Sequence, residues 1–132
     1  VWPKSLSGGL YTSMSDSDRN AGSDLHHIRP AITSINSSRG NKMYGAQTTE
    51  KYFYPGDNFT GDTARILFYL SVRYNMDILN LKVADDLSLL LSWNSTDVVD
   101  NLERNRNNAV QDIQGNYNPF IDNPWLADRI WK

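Results

Sequence analysis

One stretch constrains this chain more than any other. From Asp62 to about Tyr74, the residues Ala64, Leu67, Phe68, Ser71 and Tyr74 fall at helical spacing on one face, with no Pro or Gly among them. Asp62 can cap the start, and Asn75 is a fair stop signal. A helix of this kind needs other elements to cover it, and two more helices are expected downstream. The first spans residues 81–93: Asp85 and Asp86 complement its N-terminal half, and Leu87, Leu90 and Leu91 form its buried stripe. The next starts after a Thr96 cap, carries Val99, Leu102, Ala109, Val110 and Ile113 on one face, and ends at Gly115. Arg106 falls on that same face. An arginine on a buried stripe needs an acidic or a phosphate partner.

The remaining segments read as shorter pieces. Val1-Trp2-Pro3 looks like the end of a strand, and residues 51–54 like a short strand closed by Pro55-Gly56. Ser23 and Asp24 are N-cap candidates for a short helix through His26 and His27. Pro30 ends or kinks it, and residues 31–37 continue as a second short helix. The tail from Asn116 carries Pro119, Phe120, Pro124, Trp125 and Trp131, and should wrap back over the core. At 132 residues and 39% hydrophobic content, one domain over 1–132 is expected, α+β in class and mostly helical with few short strands. No apolar run approaches the ~20 residues of a membrane span, so no membrane partner is expected. The chain has no cysteine, which excludes a disulfide scaffold, a Cys-based zinc site and a thiol nucleophile.

Charge narrows the function classes. The formal net charge is −2, the wrong sign for gripping nucleic acid by overall charge. Yet Arg19, Arg29, Arg39 and Lys42 stand against Asp24 alone between residues 19 and 42, the stretch that also holds both histidines. Such a segment in an acidic protein either receives an anionic ligand or is a solvated basic loop. The chain is also rich in asparagine, which favours turns and caps. The sequons at Asn36, Asn58 and Asn94 are close to chance in so Asn-rich a sequence.

Three segments stand out together. They are Asp24-Leu-His-His-Ile-Arg-Pro30, then Ile35-Asn36 followed by Arg39-Gly-Asn41, and Arg104-Asn-Arg-Asn-Asn108 leading into Ile113-Gln-Gly-Asn-Tyr-Asn-Pro-Phe120. In this order, and with Gly61-Asp-Thr-Ala-Arg-Ile-Leu-Phe-Tyr69 between them, they resemble the bacterial endonuclease I family. That family includes periplasmic endonucleases and secreted Bacillus-type ribonucleases. The resemblance covers nearly the whole chain. It extends to the opening Val1-Trp2-Pro3, which in the family follows directly on a Glu-His pair. Here that pair would fall immediately before Val1, so the chain reads as cut just after the catalytic strand's Glu-His, with Val1-Trp2 as the stump of that strand.

The resemblance implies a ββα-metal, or His-Me finger, core. The absent His would be the general base and the absent Glu a metal ligand. Asn36, within Ile35-Asn36-Ser-Ser-Arg39-Gly-Asn41, would be the second ligand on the helix of residues 31–37. The ion implied is Mg²⁺ or another hard divalent cation such as Ca²⁺ or Mn²⁺. Such an ion neutralises charge that builds on a phosphodiester during attack, and prefers oxygen ligands. A histidine with a pKa near ~6.5 can take a proton from water at neutral pH. One metal and one His need neither a 2′-hydroxyl nor a base edge, so the expected activity is sequence- and sugar-nonspecific endonuclease cleavage of DNA and RNA. As it stands the chain is expected to be impaired. Arg29, Arg39, Lys42 and Arg106 are the candidates for substrate phosphate contacts. His26 reads as a structural tie of the motif loop. His27 is the histidine that could approach the substrate, though not as a replacement base. Gln114, Gly115, Asn116 and Asn118 read as braces for irregular backbone near the site.

Family members of this kind are exported, so a secreted or periplasmic location is expected, and a monomer is favoured. The rival readings are a non-catalytic nucleic-acid-binding module derived from such a nuclease, and a carbohydrate-binding domain using Trp2, Trp125 and Trp131.

Overall fold

The computed structural model describes residues 1–3, 6–7, 20–29, 37 and 39–132. The expected metal-bearing helix, except Ser37, and Asn36 itself lie outside the described residues. The described elements run β1 (Met43–Tyr44), β2 (Tyr52–Phe53), α1 (Thr60–Tyr74), α2 (Leu87–Thr96), α3 (Asn101–Gln114), α4 (Pro119–Asp122) and α5 (Leu126–Trp131). This is α+β, mostly helical. β1 and β2 pair in parallel, Met43 opposite Tyr52 and Tyr44 opposite Phe53. Tyr44 also bridges to Ala84, its N–H donating to the Val83 carbonyl at 2.8 Å.

α1 is the axis of the fold. Every residue from Thr60 to Leu70 is buried, so the helix is covered on all sides of its first three turns rather than along one stripe. α2 packs along it, and the tail folds back over it. The Phe68 ring stacks on Trp131 at 4.7 Å and lies 5.7 Å from Phe120, which is the expected return of the tail over the core. Gly61 is required by proximity: a Cβ there would sit 2.1 Å from the Asp97 carbonyl oxygen. Asn75 ends α1 in the left-handed conformation, and Gly115 ends α3 at φ +93°, both as expected.

Several boundaries differ from expectation. α1 starts at Thr60, so Asp62 lies inside the first turn and is buried rather than capping. α2 starts at Leu87, not Leu81. Asp77 Oδ1 accepts from the Leu79 and Asn80 amides, and Lys82 has φ +59°, so these residues form a turn. The cap of α2 is Asp86, whose side chain accepts from the Ser88 amide. Thr96 closes α2 instead of opening α3, and the α3 cap is Asp100, which accepts from the Glu103 amide at 2.8 Å. Ser23 to His27 form turns, not a helix. Val1 to Pro3 carry no strand. The stripe expected to be buried on α3 is largely outside: Leu102 is 70% and Ile113 76% exposed, while Glu103, Asn107 and Val110 face inward.

Candidate functional site

The main chain at Val1–Trp2 is held from several directions. The Val1 carbonyl accepts from Tyr44 Oη at 2.8 Å and from Arg39 Nη2 at 3.1 Å. Arg39 is itself fixed: its Nη1 donates to the Gly40 carbonyl at 2.9 Å, and its guanidinium lies 4.5 Å over the Tyr44 ring. The Trp2 amide donates to His27 Nε2 at 2.8 Å, and His27 Nδ1 donates to the Ala21 carbonyl at 2.7 Å. That pair of partners fixes the tautomer, with the proton on Nδ1. Burial drives the His27 pKa down to about 4, so the ring is neutral at physiological pH. Both ring nitrogens therefore serve backbone. The Trp2 side chain is buried, its indole N–H donating to the Leu6 carbonyl at 2.8 Å.

Beside this clamp lie two further cations. Arg29 Nη2 makes only a long contact, 3.5 Å, to Asp62 Oδ2, and its Nε is buried with no hydrogen-bond partner in the described structure. Arg106 Nη2 donates to the Leu25 carbonyl at 2.8 Å and to the Ile28 carbonyl in a short contact. Among the described residues its partners are carbonyls rather than a carboxylate. Burial and the neighbouring charge of Arg29 both lower its pKa. Lys42 is half-buried, next to β1.

A second group braces the loop of residues 20–29. Asp24 Oδ1 accepts from the His26 amide and from Gln114 Nε2, both at 2.9 Å. Its Oδ2 accepts from the hydroxyls of Tyr69 and Tyr74, both at 2.6 Å. Burial alone would raise the Asp24 pKa, but the donors from Gln114, Tyr69, Tyr74 and the His26 amide outweigh it and hold the pKa below the ordinary value. Burial and the Asp24 carboxylate hold both tyrosines protonated. Asn116 closes the ring of bonds: its carbonyl meets His26 Nε2 at 2.9 Å and its Nδ2 donates to Tyr69 Oη at 2.8 Å. These bonds line a cleft of about 700 Å³ walled by Arg73, Ile113 and Gln114 among others. His26, Gln114 and Asn116 thus sit in structural positions.

Sequence reasoning passed over the third group. Arg65, fully buried on α1, makes a bidentate pair with Glu103 of α3, Nε to Oε2 at 2.6 Å and Nη2 to Oε1 at 2.8 Å. Its remaining donors reach the Asn94 carbonyl and Oδ1 and the Asp97 carbonyl. Asp62 stands 3.7 Å from the same guanidinium. Burial and the Glu103 carboxylate push the Asp62 pKa up to about 7, against the pull of Arg29 and Arg65. Asn118 extends the network, donating to the Arg65 carbonyl and exchanging bonds with Asn107. The signal in the sequence was the pair Arg65 and Glu103, each set among residues otherwise read as core.

The segment of residues 20–29 thus holds the Val1–Trp2 main chain through His27 and is itself braced by α1 and the turn after α3, in a helix-dominated α+β chain with a polar seam around Arg65. A family model, Endonuclease I, matches residues 46–125. The chain is 40% identical to the extracellular ribonuclease of Bacillus subtilis (strain 168), over an alignment of 156 positions covering 99% of this chain and 52% of that protein. It is 30% identical to Endonuclease-1 of Buchnera aphidicola subsp. Acyrthosiphon pisum (strain APS), covering 91% of this chain and 52% of that protein. It is 26% identical to an extracellular deoxyribonuclease of Aeromonas hydrophila over 75% of this chain and 48% of that one. No solved structure matches the chain significantly. The chain belongs to the endonuclease I family, and it spans about half the length of the curated relatives it matches.

Proposed function

We propose that this chain is part of an exported, divalent-metal-dependent endonuclease that hydrolyses DNA and RNA with little sequence preference, built on a His-Me finger core. The observation that carries it is the clamp on Val1–Trp2. His27, Arg39 and Tyr44 fix the main chain directly after the point where the family's Glu-His pair enters. A general base must be held within hydrogen-bond reach of its water, and a main chain fixed from three sides gives that rigidity.

Among the described residues no three histidine or carboxylate side chains come together to hold an ion. The reading takes its ligands from Asn36 and the upstream Glu. A hard cation bound there supplies charge neutralisation on the phosphate and the leaving oxygen. The described residues have other tasks. Arg29, whose partly exposed guanidinium makes a long 3.5 Å contact to Asp62, and Lys42 are the cations proposed to meet a substrate phosphate. His27 uses both ring nitrogens on backbone, and Arg39 donates to the Gly40 and Val1 carbonyls, so both position the Val1–Trp2 main chain. Arg106 anchors the loop of residues 25–28.

The test compares plasmid nicking and RNA degradation, with Mg²⁺ and with EDTA, for this chain and for a protein extended upstream through the pair. The extended protein should cleave both, and this chain should be about 10²–10⁴-fold slower. Equal rates overturn the place of the base. An Asn36→Ala variant of the extended protein that cleaves at the full rate overturns the ligand assignment. Salt-sensitive binding without any cleavage identifies a non-catalytic nucleic-acid-binding module instead.

A further inference from the structure

The cleft beside the loop of residues 20–29 has no task in the reading above. At about 700 Å³ it is as large as a small-molecule site. One part of its lining is settled: Asp24 accepts from the His26 amide, Gln114, Tyr69 and Tyr74, so its carboxylate calls for no further donor. The rest is not. Leu25 and Ile113 offer the cleft apolar surface, and Ile113 is 76% exposed. Arg73 lines it too. Its guanidinium lies 5.1 Å from the centre of the Tyr74 ring and makes no ion pair and no hydrogen bond among the described residues. A ring orients a cation without neutralising it. Asn20 spends its Oδ1 on the Gly22 amide, while its Nδ2 donates to none of the described residues.

Apolar surface, an unneutralised guanidinium and free amide donors in one cleft suit a planar polar ring that carries an anion on a short linker, as a nucleotide does. A cleft of this volume takes one nucleotide and not a stretch of duplex, so the base it receives must be unpaired. Its position agrees. Leu25 lines the cleft, and Arg29, four residues on in the same loop, stands at Asp62. Four residues of chain span at most about 14 Å, so the cleft lies within a few nucleotides of Arg29 along a bound strand. We infer that the cleft between the loop of residues 20–29 and the ends of α1 and α3 is a subsite for an unpaired nucleotide of the substrate strand, with its base against Leu25 and Ile113 and its phosphate at Arg73. The inference rests on the nucleic-acid substrate of the proposed function, and not on its metal or its general base.

The test titrates the full-length protein, in EDTA, with adenosine 5′-monophosphate and follows amide chemical shifts by NMR. This nucleotide has no phosphodiester bond, so binding is read without cleavage. The main-chain amides of Ser23, Gly115 and Asn116 should shift along one saturating curve. Arg73→Ala should weaken the binding about tenfold, the loss of one charge-assisted contact. Ile113→Asp should weaken it at least about fivefold. Both side chains are exposed, so these variants probe the cleft and not the core. Adenosine and inorganic phosphate, each alone, should bind at least about tenfold more weakly than the nucleotide. Phosphate binding as tightly identifies a bare anion site, adenosine binding as tightly an apolar pocket, and either overturns the assignment. A short single strand should displace the nucleotide at lower concentration than a duplex of the same sequence; a duplex that displaces it equally well overturns the claim of an unpaired base. Absence of shifts at these amides, or shifts unchanged in Arg73→Ala, overturns the subsite whether or not the protein cleaves nucleic acid. A protein that binds the nucleotide here, as Arg73 requires, but cleaves neither DNA nor RNA with Mg²⁺ supports the subsite and overturns the catalytic reading alone.

Discussion

Replacing Arg65 by Met removes the one cation that the polar seam is built around. The guanidinium is fully buried and makes two bonds to Glu103, at 2.6 and 2.8 Å, besides bonds to the Asn94 and Asp97 carbonyls. Glu103, itself 1% exposed, would be left without a cation. Breaking a buried pair from one side costs about 3–5 kcal/mol, because the surviving charge is desolvated and uncompensated. The two orphaned carbonyls push the cost towards the upper end of that range. For a domain of this size, about 4 kcal/mol corresponds to a melting shift of roughly 12–16 °C. The assay is urea unfolding followed by tryptophan fluorescence, with the slope checked so that a midpoint change reads as stability. Adding Glu103→Met in the Arg65→Met background should recover at least about 1 kcal/mol, since the stranded carboxylate is gone. An Arg65→Met cost below about 1 kcal/mol, or a double variant no better than the single, would refute the claim that this pair organises the seam.

Further expectations follow from the two shifted side chains. The Asp62 pKa is raised to about 7 in the folded protein, above its unfolded value, so its contribution to stability is fully present below the unfolded pKa and is lost as pH rises through about 7. Asp62→Asn should flatten the fall in melting temperature between pH 5 and pH 8, measured by thermal scans; an unchanged slope counts against the shift. The His27 pKa is lowered to about 4, so its contribution is complete above the unfolded value near ~6.5 and falls away as pH drops from there towards 4. His27→Ala should cost about 2 kcal/mol by loss of two buried bonds, and its urea midpoint should vary less than the wild type's between pH 7 and pH 4.5. A wild-type pH response in His27→Ala would assign the acid sensitivity to other groups.

Much of the helical frame was legible because its signals are local. Asn75 and Gly115 end helices in the left-handed conformation that their side chains tolerate best. The aromatic tail returns to the core through Phe120 and Trp131. The beginnings of helices were harder, since every acidic or hydroxyl residue is a possible cap and only one is used. Asp77 spends its carboxylate on a turn, Thr96 bonds back to the Ser92 carbonyl within α2, and Asp86 and Asp100 do the capping. The pattern of Asp100 with Glu103 three residues on was a start signal in plain view. The partners of the cations were hard to read for a related reason. Composition shows that charge is present, but not whether a guanidinium donates to backbone, as in Arg39 and Arg106, or keeps a buried N–H unpartnered among the described residues, as in Arg29.

The orientation of α3 could not be read from periodicity, and the reason is physical. Hydrophobic spacing identifies the face that avoids water, and the face that meets this chain's core need not be the same one. α1 brings Arg65 into the centre, and a buried guanidinium with five donors must be met by acceptors. Glu103 supplies two of them, while Asn107 braces Asn118, whose side chain donates to the Arg65 main-chain carbonyl, and these bonds hold α3 with its polar residues inward. The apolar stripe is then displaced by about a quarter-turn and left uncovered. One buried charge on the central helix thus sets the rotation of another helix, and with it which of its residues are left exposed. If Arg65 and Glu103 were replaced together by well-packed apolar residues, α3 would be free to turn Leu102 and Ile113 inward. Thiol labelling of Ile113→Cys in that double-variant background should then slow relative to the same cysteine in the 132-residue chain with the pair intact. Equal labelling in the two would show that the loops flanking α3, not the buried pair, set its rotation.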